Sequence, residues 1–165
     1  MELFMKTPIL EVQNLSIHFL TEEGVVRAVE NVSLKIFPGE VLGLVGESGC
    51  GKSVTGLSLL KLIPIPPGQI ISGEILFDGR GLLQLEEKEM EKVRGNDISM
   101  IVQEPMTSLN PVFTIGDQIM EAIILHQKLH KTEARKRTIE MLDRVKVPSP
   151  EKRIDSYPHQ LSGGM

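Results

Sequence analysis

The alternation of apolar and polar positions predicts an antiparallel β-ribbon near the start of the chain. Residues 10–19 alternate loosely, residues 25–37 are rich in Val, Leu and Ile, and the polar residues 21–24 separate them. Two such runs joined by a short turn that contains Gly24 are typical of a hairpin. A third strand is predicted over residues 70–77, where Asp78-Gly79 closes it.

Two shorter apolar runs have the composition of strands that are buried on both faces of a sheet. They are residues 41–45, which follow Pro38-Gly39-Glu40, and residues 98–102, which end at Gln103. Continuous apolar runs of this length are typical of parallel sheets. We therefore expect Gln103 at the carboxyl edge of the sheet, where open α/β sheets bind their ligands.

Three segments with apolar residues at helical spacing and one short charged segment, residues 85–94, which Gly95 ends, predict four helices. They cover residues 53–62, residues 85–94, a segment that begins at Thr114 and a segment that begins near Thr132. Thr114 with Asp117 resembles a capping box. In the last helix, Ile139, Leu142 and Val145 are expected on one face, with the pairs Glu133–Arg137 and Glu140–Arg144 on the exposed side.

Composition limits the class of protein. The 165 residues are 41% hydrophobic and 24% charged, which is typical of a soluble globular domain. The net charge of −4 gives no overall bias toward nucleic acid. Cys50 is the only cysteine, so no intramolecular disulfide can form and a reducing compartment is expected. We find neither a signal peptide nor a membrane-spanning apolar run, so membrane association is expected to be indirect.

A phosphate-binding loop follows the first apolar run. Residues 46–53 fit the pattern G-x-x-x-x-G-K-[ST] and lie between a predicted strand and a predicted helix. Its glycines let successive backbone N–H groups point at phosphate oxygens, and the following helix N-terminus faces the same anion. The expected nucleotide-binding residues are Gly46, Glu47, Ser48, Gly49, Cys50, Gly51, Lys52, Ser53 and Val54.

Three of these loop residues and one residue beyond the loop carry specific chemical expectations. Lys52 supplies an ammonium for the β- and γ-phosphates, and the hydroxyl of Ser53 can enter the shell of a Mg²⁺ ion. Bulky alkylation of Cys50 is expected to block nucleotide binding. The amide of Gln103 would complete the Mg²⁺ shell or hold the attacking water; the alternative is a solvated loop glutamine.

The end of the chain carries the resemblance to a known family. Leu161-Ser162-Gly163-Gly164 resembles the signature motif of ABC-type ATPases, and it follows the phosphate loop in the family's order with Gln103 between them. Gln103 lies 51 residues after Lys52, and Ser162 lies 59 residues after Gln103. Residues 46–53, 103–111 and 157–165 together are similar to the oligopeptide/dipeptide permease branch.

This resemblance implies a fold and a nucleotide site. The fold is an α/β P-loop NTPase of the ABC ATPase type, with an N-terminal antiparallel β subdomain in a core of residues 8–104. A helical subdomain, residues 105–165, is truncated at the signature. Phe19 would stack on the adenine of ATP, the alternative being a half-buried strand phenylalanine. Ser53 and Gln103 would bind Mg²⁺.

The resemblance also implies partners. The signature residues Leu161, Ser162, Gly163 and Gly164 would contact ATP bound by a second ATP-binding subunit in a homo- or heterodimer. Membrane-spanning permease subunits and a separate substrate-binding protein would complete an importer at the cytoplasmic face of the membrane. The family's Walker B and switch-histidine motifs follow the signature, so these 165 residues alone are expected to bind nucleotide weakly and to lack turnover.

Several alternatives remain open. An importer of nickel or another small solute, or a P-loop fragment that does not hydrolyse ATP, would carry the same motifs. A P-loop kinase or GTPase would not require Gln103 and the signature at these spacings. An ABC ATPase acting on DNA would carry a coiled-coil or zinc-binding insertion, and residues 52–161 contain neither long heptads nor cysteine pairs. Loss of Lys52 would have favoured a non-catalytic interaction protein, but Lys52 is present.

Overall fold

The computed structural model describes residues 7–102, 108–162 and 164–165. These residues form two compact units, Met1–Val93 and Arg94–Met165, and each unit is described by itself. The division into residues 8–104 and 105–165 stays a prediction.

The first unit contains a four-stranded antiparallel sheet in the order β2-β1-β3-β4. Its strands are β1 (Leu10–Thr21), β2 (Gly24–Ile36), β3 (Gly68–Phe77) and β4 (Arg80–Gly81). The central strand β1 pairs with both β2 and β3. The predicted hairpin and third strand are therefore confirmed, including the turn at Asp78 and Gly79, whose positive φ angles of 48° and 75° suit a tight hairpin.

The sheet buries a run of large aliphatic side chains. Val12, Leu15, Ile17 and Ile75 are at most 1% exposed. The register of β1 shifts between Val12 and Leu15 and again near Ile17, so the alternation along β1 is interrupted. At the interruption the hydroxyl of Ser16 accepts a hydrogen bond from the Asn31 amide of β2 at 3.0 Å, which satisfies a backbone donor that the ladder leaves unpaired.

Two helices complete the first unit. They are α1 (Lys52–Leu59) and α2 (Glu87–Val93), and both confirm predicted helices. Helix α1 ends three residues earlier than predicted, because Lys61 has a positive φ of 52° and the Leu62 amide donates back to Leu57 O at 3.0 Å. This C-terminal motif satisfies carbonyls that would otherwise lack partners.

The second unit is helical. It contains α3 (Ile115–Gln127), α4 (Lys131–Arg144) and α5 (Pro150–Arg153), followed by a 3₁₀ turn at Pro158–Gln160. The predicted cap of α3 is confirmed, since Thr114 Oγ1 accepts from the Asp117 amide at 3.1 Å. Two apolar clusters hold these helices, one of Met120, Ile123 and Ala134 and one of Ile115, Leu142, Val147 and Ile154.

The start of α3 packs directly on the backbone that follows α5. The Gly116 amide donates to Ile154 O at 2.7 Å, and a Cβ at Gly116 would lie 2.5 Å from that oxygen. Asp155 follows Ile154 in the chain, and its carboxylate accepts two hydrogen bonds of 2.8 Å from the guanidinium of Arg135. This pairing lowers the pKa of Asp155 and raises the pKa of Arg135.

The prediction of two buried strands at residues 41–45 and 98–102 is wrong for the described structure. Neither segment forms a strand, and Val41, Val45 and Ile101 are 96%, 93% and 94% exposed. A parallel strand needs neighbours to bond its backbone and cover its side chains. Among the described residues, no strand pairs with either segment; only Ile98 forms an isolated bridge, to Arg94.

Two details of the predicted helix near Thr132 also differ from the structure. Val145 follows the end of α4 and is 71% exposed, so it does not share the buried face of Leu142. Arg137 pairs with Glu140 at 2.9 Å rather than with Glu133. Glu133 instead accepts from the His130 amide at 3.4 Å, because a carboxylate in the first turn can satisfy an N-terminal amide that has no helical acceptor.

Candidate functional site

The phosphate loop lies against the edge strand β2. Gly49 and Gly51 have φ angles of +81° and +93°, which is the left-handed region that glycine adopts at low cost. Gly51 is also the residue that precedes the first turn of α1. A Cβ at Gly51 would lie 2.2 Å from the carbonyl oxygen of Ala28 in β2. The loop therefore approaches β2 at a distance that only glycine permits.

The ammonium of Lys52 lies over the loop. Its Nζ donates to Gly46 O at 2.7 Å, to Glu47 O at 2.5 Å and to Cys50 Sγ at 3.4 Å. These acceptors are two neutral carbonyls and a thiol, and Lys52 makes no ion pair with a described carboxylate. A cation held only by neutral acceptors can be drawn to a phosphate, because an anionic acceptor adds attraction between opposite charges that a carbonyl or a thiol does not supply.

The start of α1 has the electrostatics of an anion site. The first turn contains no acidic residue, so the positive end of the helix dipole is not compensated. A cavity of about 110 Å³ is lined by Gly49, Gly51, Lys52, Ser53 and Val54. Ser53 is exposed in this turn, so its hydroxyl is accessible to a Mg²⁺ ion, which prefers oxygen ligands.

A second cavity of about 350 Å³ lies between the phosphate loop and β2. It is lined by Arg27, Ala28, Val29, Glu30, Val32, Leu44, Val45, Cys50, Gly51, Lys52 and Thr55. The β2 residues of this wall were missed from the sequence, because the apolar pattern predicts the strand but not which strand edge meets the loop. The pattern of glycines alone gave no sign that Gly51 packs on Ala28.

Phe19 lies half-buried in β1, and it is paired with Val26 of β2 and Gly68 of β3. The ring edge is near β3, since a Cβ at Gly68 would lie 3.3 Å from Phe19 Cε1. Phe19 does not line either cavity beside the phosphate loop. Stacking of this ring on adenine therefore stays a prediction.

The other predicted site residues fall in or near the second unit. Gln103 and Gly163 lie outside the described residues, so the predicted metal ligand at Gln103 stays a prediction. Leu161 packs against the cluster that contains Ile154. Ser162 and Gly164 are exposed, and the Ser162 carbonyl accepts from the Met165 amide at 2.9 Å.

The segment before the signature has an ordered local structure that the sequence did not reveal. Gln160 Oε1 accepts from the Tyr157 amide at 2.8 Å, which closes the 3₁₀ turn. The rings of Tyr157 and His159 stack with their centroids 5.7 Å apart. This turn leads the chain directly into Leu161 and the exposed residues that follow.

Comparison with known proteins identifies the family. A model of the ABC transporter family matches residues 29–165, which include the phosphate loop and the signature. The chain belongs to the ABC transporter family. No helix in the described parts of the chain is long and apolar enough to cross a membrane.

Among curated proteins, relatives with peptide-transport names are similar over almost the whole chain. The oligopeptide transport ATP-binding protein OppD of Bacillus subtilis is 52% identical over 159 residues, which are 96% of this chain and 44% of the relative. A probable peptide ABC transporter ATP-binding protein of Sinorhizobium fredii is 50% identical over 95% of this chain and 47% of the relative. The chain thus spans about half the length of these relatives.

Solved structures confirm the fold as that of an ABC ATPase. The dimeric bacterial ABC transporter cassette MJ0796 superposes with a TM-score of 0.79 at 26% identity, over 94% of this chain and 64% of that one. The same cassette in a post-hydrolysis state bound to ADP and Pi gives a TM-score of 0.80. The predicted fold class, with an antiparallel sheet and a helical part, is confirmed.

Proposed function

We propose that this chain forms the nucleotide-binding part of the ATP-binding subunit of an ABC importer for peptides. The observation that carries the proposal is the phosphate loop, in which glycine-dependent backbone geometry places Lys52, at the start of α1, beside β2. Membership of the ABC transporter family supports ATP as the nucleotide. A structural neighbour was solved with ADP and Pi, which agrees with that choice.

Each residue of the loop has a role in this proposal. The amides of residues 46–54 surround the phosphates, Lys52 neutralises charge on the β- and γ-phosphates, and Ser53 contributes an oxygen to Mg²⁺. Bound Mg²⁺ would neutralise charge that develops on the transferred phosphoryl group. Gln103 is the second proposed metal ligand, and Phe19 is the proposed adenine contact.

The proposed assembly contains a second ATP-binding subunit, permease subunits and a separate substrate-binding protein. The exposed positions of Ser162 and Gly164 suit a contact with the ATP of a partner subunit, and one structural neighbour is described as a dimer. The subunit would act at the cytoplasmic face of the membrane, bound to the permease. The assembly need not include nucleic acid.

Peptides are the proposed cargo because of the relatives' names. OppD and DppD of Bacillus subtilis are described as oligopeptide and dipeptide transport ATP-binding proteins, at 52% and 50% identity. Hydrolysis is proposed for the assembled transporter, because phosphoryl transfer requires a positioned water and complete metal ligation.

Uptake by the assembled transporter tests the proposed function. The transporter is reconstituted in proteoliposomes with the wild-type subunit, with Lys52→Ala or with the control Lys35→Ala. Lys35 lies on β2 and pairs with Glu11 at 2.6 Å, away from the loop cavities. We expect ATP-dependent uptake of a labelled tripeptide by the wild type and the control only. ATP-dependent uptake of Ni²⁺ without uptake of the peptide would show that the cargo is a small solute and not a peptide.

A further inference from the structure

The wall of the cavity between the phosphate loop and β2 includes Arg27, a basic residue outside the phosphate-loop motif. Arg27 and Lys52 are the two basic residues in its wall, and Glu30 is the acidic one. The carboxylate of Glu30 already hydrogen-bonds the Nε2 atom of His18. Among the described residues, Arg27 makes no ion pair, whereas Lys35 on the same strand pairs with Glu11.

The backbone places Arg27 beside the phosphate loop. A Cβ at Gly51 would lie 2.2 Å from Ala28 O, so the loop and β2 are in close contact there, and Arg27 and Lys52 are the residues next to them in sequence. Arg27 is exposed, so its side chain retains the freedom to reach a ligand in the cavity. Two cations that form no ion pair with a described residue lie in one concave wall, where they raise the positive potential and attract an anion.

We propose that Arg27 binds the polyphosphate chain of the nucleotide held by the phosphate loop. This inference rests on the proposed function, since it requires that the loop binds a nucleoside di- or triphosphate. Guanidinium groups bind phosphate through two parallel N–H···O hydrogen bonds, which an ammonium cannot reproduce. Lys52 then neutralises one part of the polyphosphate, and Arg27 contacts another part from the β2 side.

Titration calorimetry of the 165-residue chain with two ligands tests the role of Arg27. The ligands are MgATP and inorganic tripolyphosphate, which has the phosphates without base or sugar. The variants are Arg27→Gln, Arg27→Lys and the control Lys35→Gln, which removes the same charge from the same strand outside the cavity. Far-UV circular dichroism verifies that each variant has the wild-type fold.

We expect Arg27→Gln to weaken the binding of both ligands roughly tenfold, which is the low end of the effect of losing a hydrogen bond between charged groups. Arg27→Lys should lose less affinity, because lysine keeps the positive charge but not the paired N–H donors of the guanidinium. The affinities of Lys35→Gln should stay within about twofold of wild type. Equal weakening by Arg27→Gln and Lys35→Gln would refute the inference. Weakening of ATP alone would also refute it, because the contact would then be with base or sugar.

The same titrations distinguish a failure of the Arg27 proposal from a failure of the proposed function. If Lys52→Ala abolishes ATP binding while Arg27→Gln binds as wild type, the phosphate loop works and only the role of Arg27 is wrong. If the folded wild-type chain binds neither ligand, both proposals are wrong.

Discussion

Replacing Gly51 by alanine tests the contact between the phosphate loop and β2. The new Cβ would lie 2.2 Å from Ala28 O, and Gly51 has a φ of +93°. Gly49 is a matched control, because its φ is +81° but nothing lies within 4 Å of its Cβ position. Gly43 is a second control, with open space and no positive φ.

The alanine substitutions at Gly49 and Gly51 should differ in free energy by the cost of the clash with Ala28 O, which only Gly51→Ala creates. An L-residue held in the left-handed region costs about 1–2 kcal/mol, which applies to both Gly49→Ala and Gly51→Ala. At Gly51 the loop must also move by about 1 Å to restore a normal contact with a backbone oxygen, and overpacking of this kind costs about 1–3 kcal/mol. We therefore expect a total of about 2–5 kcal/mol for Gly51→Ala.

Urea denaturation and nucleotide titration measure these effects together. Gly51→Ala should lower the free energy of unfolding more than Gly49→Ala, and it should also weaken ATP binding more, because a loop displaced from Ala28 no longer holds its amides toward the phosphates. Gly43→Ala should match wild type in both assays. Equal effects of Gly49→Ala and Gly51→Ala would show that the contact with Ala28 contributes nothing to stability or binding.

Three further predictions concern other parts of the chain. Bulky maleimide alkylation of Cys50, whose Sγ lies 3.4 Å from Lys52 Nζ, should block ATP binding in a titration, and Cys50→Ser should bind ATP and resist the reagent. Gly116→Ala should lower the free energy of unfolding by about 1–3 kcal/mol, whereas Gly56→Ala, in an open position of α1, should raise it by about 0.5–1 kcal/mol. The pKa of Asp155 is lowered by Arg135, so their pairing stabilises the chain above about pH 4 and is lost as pH falls through the folded-state pKa. Urea curves should show Arg135→Gln less stable than wild type at pH 7, and this difference should shrink as the pH falls below about 4.

Local signals were sufficient for the antiparallel ribbon and most helices. The turn at Thr21 and Gly24 and the cap at Thr114 are closed by hydrogen bonds to residues three positions away, and the turn at Asp78-Gly79 depends on the positive φ angles of these two residues, so all three can be predicted from local sequence. The loop geometry at Gly49 and Gly51 has the same local origin, because positive φ angles select glycine.

The wrong or missing predictions concern features that depend on residues distant in sequence. An apolar run such as residues 41–45 specifies a buried strand only if other strands cover it, and periodicity does not show whether they do. The position of Arg27 beside Lys52 depends on how β2 meets the loop, which no local pattern encodes. Val145 continued an apolar spacing beyond Arg144, where α4 had already ended.

Titration of the folded chain with a fluorescent ATP analogue and Mg²⁺ is the most direct test of the phosphate loop as a nucleotide site. Wild type, Lys52→Ala and Lys35→Ala are compared, with circular dichroism to confirm folding. We predict saturable binding by wild type and Lys35→Ala that is lost in Lys52→Ala. Equal binding by folded Lys52→Ala, or no saturable binding by the folded wild-type chain, would show that the phosphate loop is not a nucleotide site.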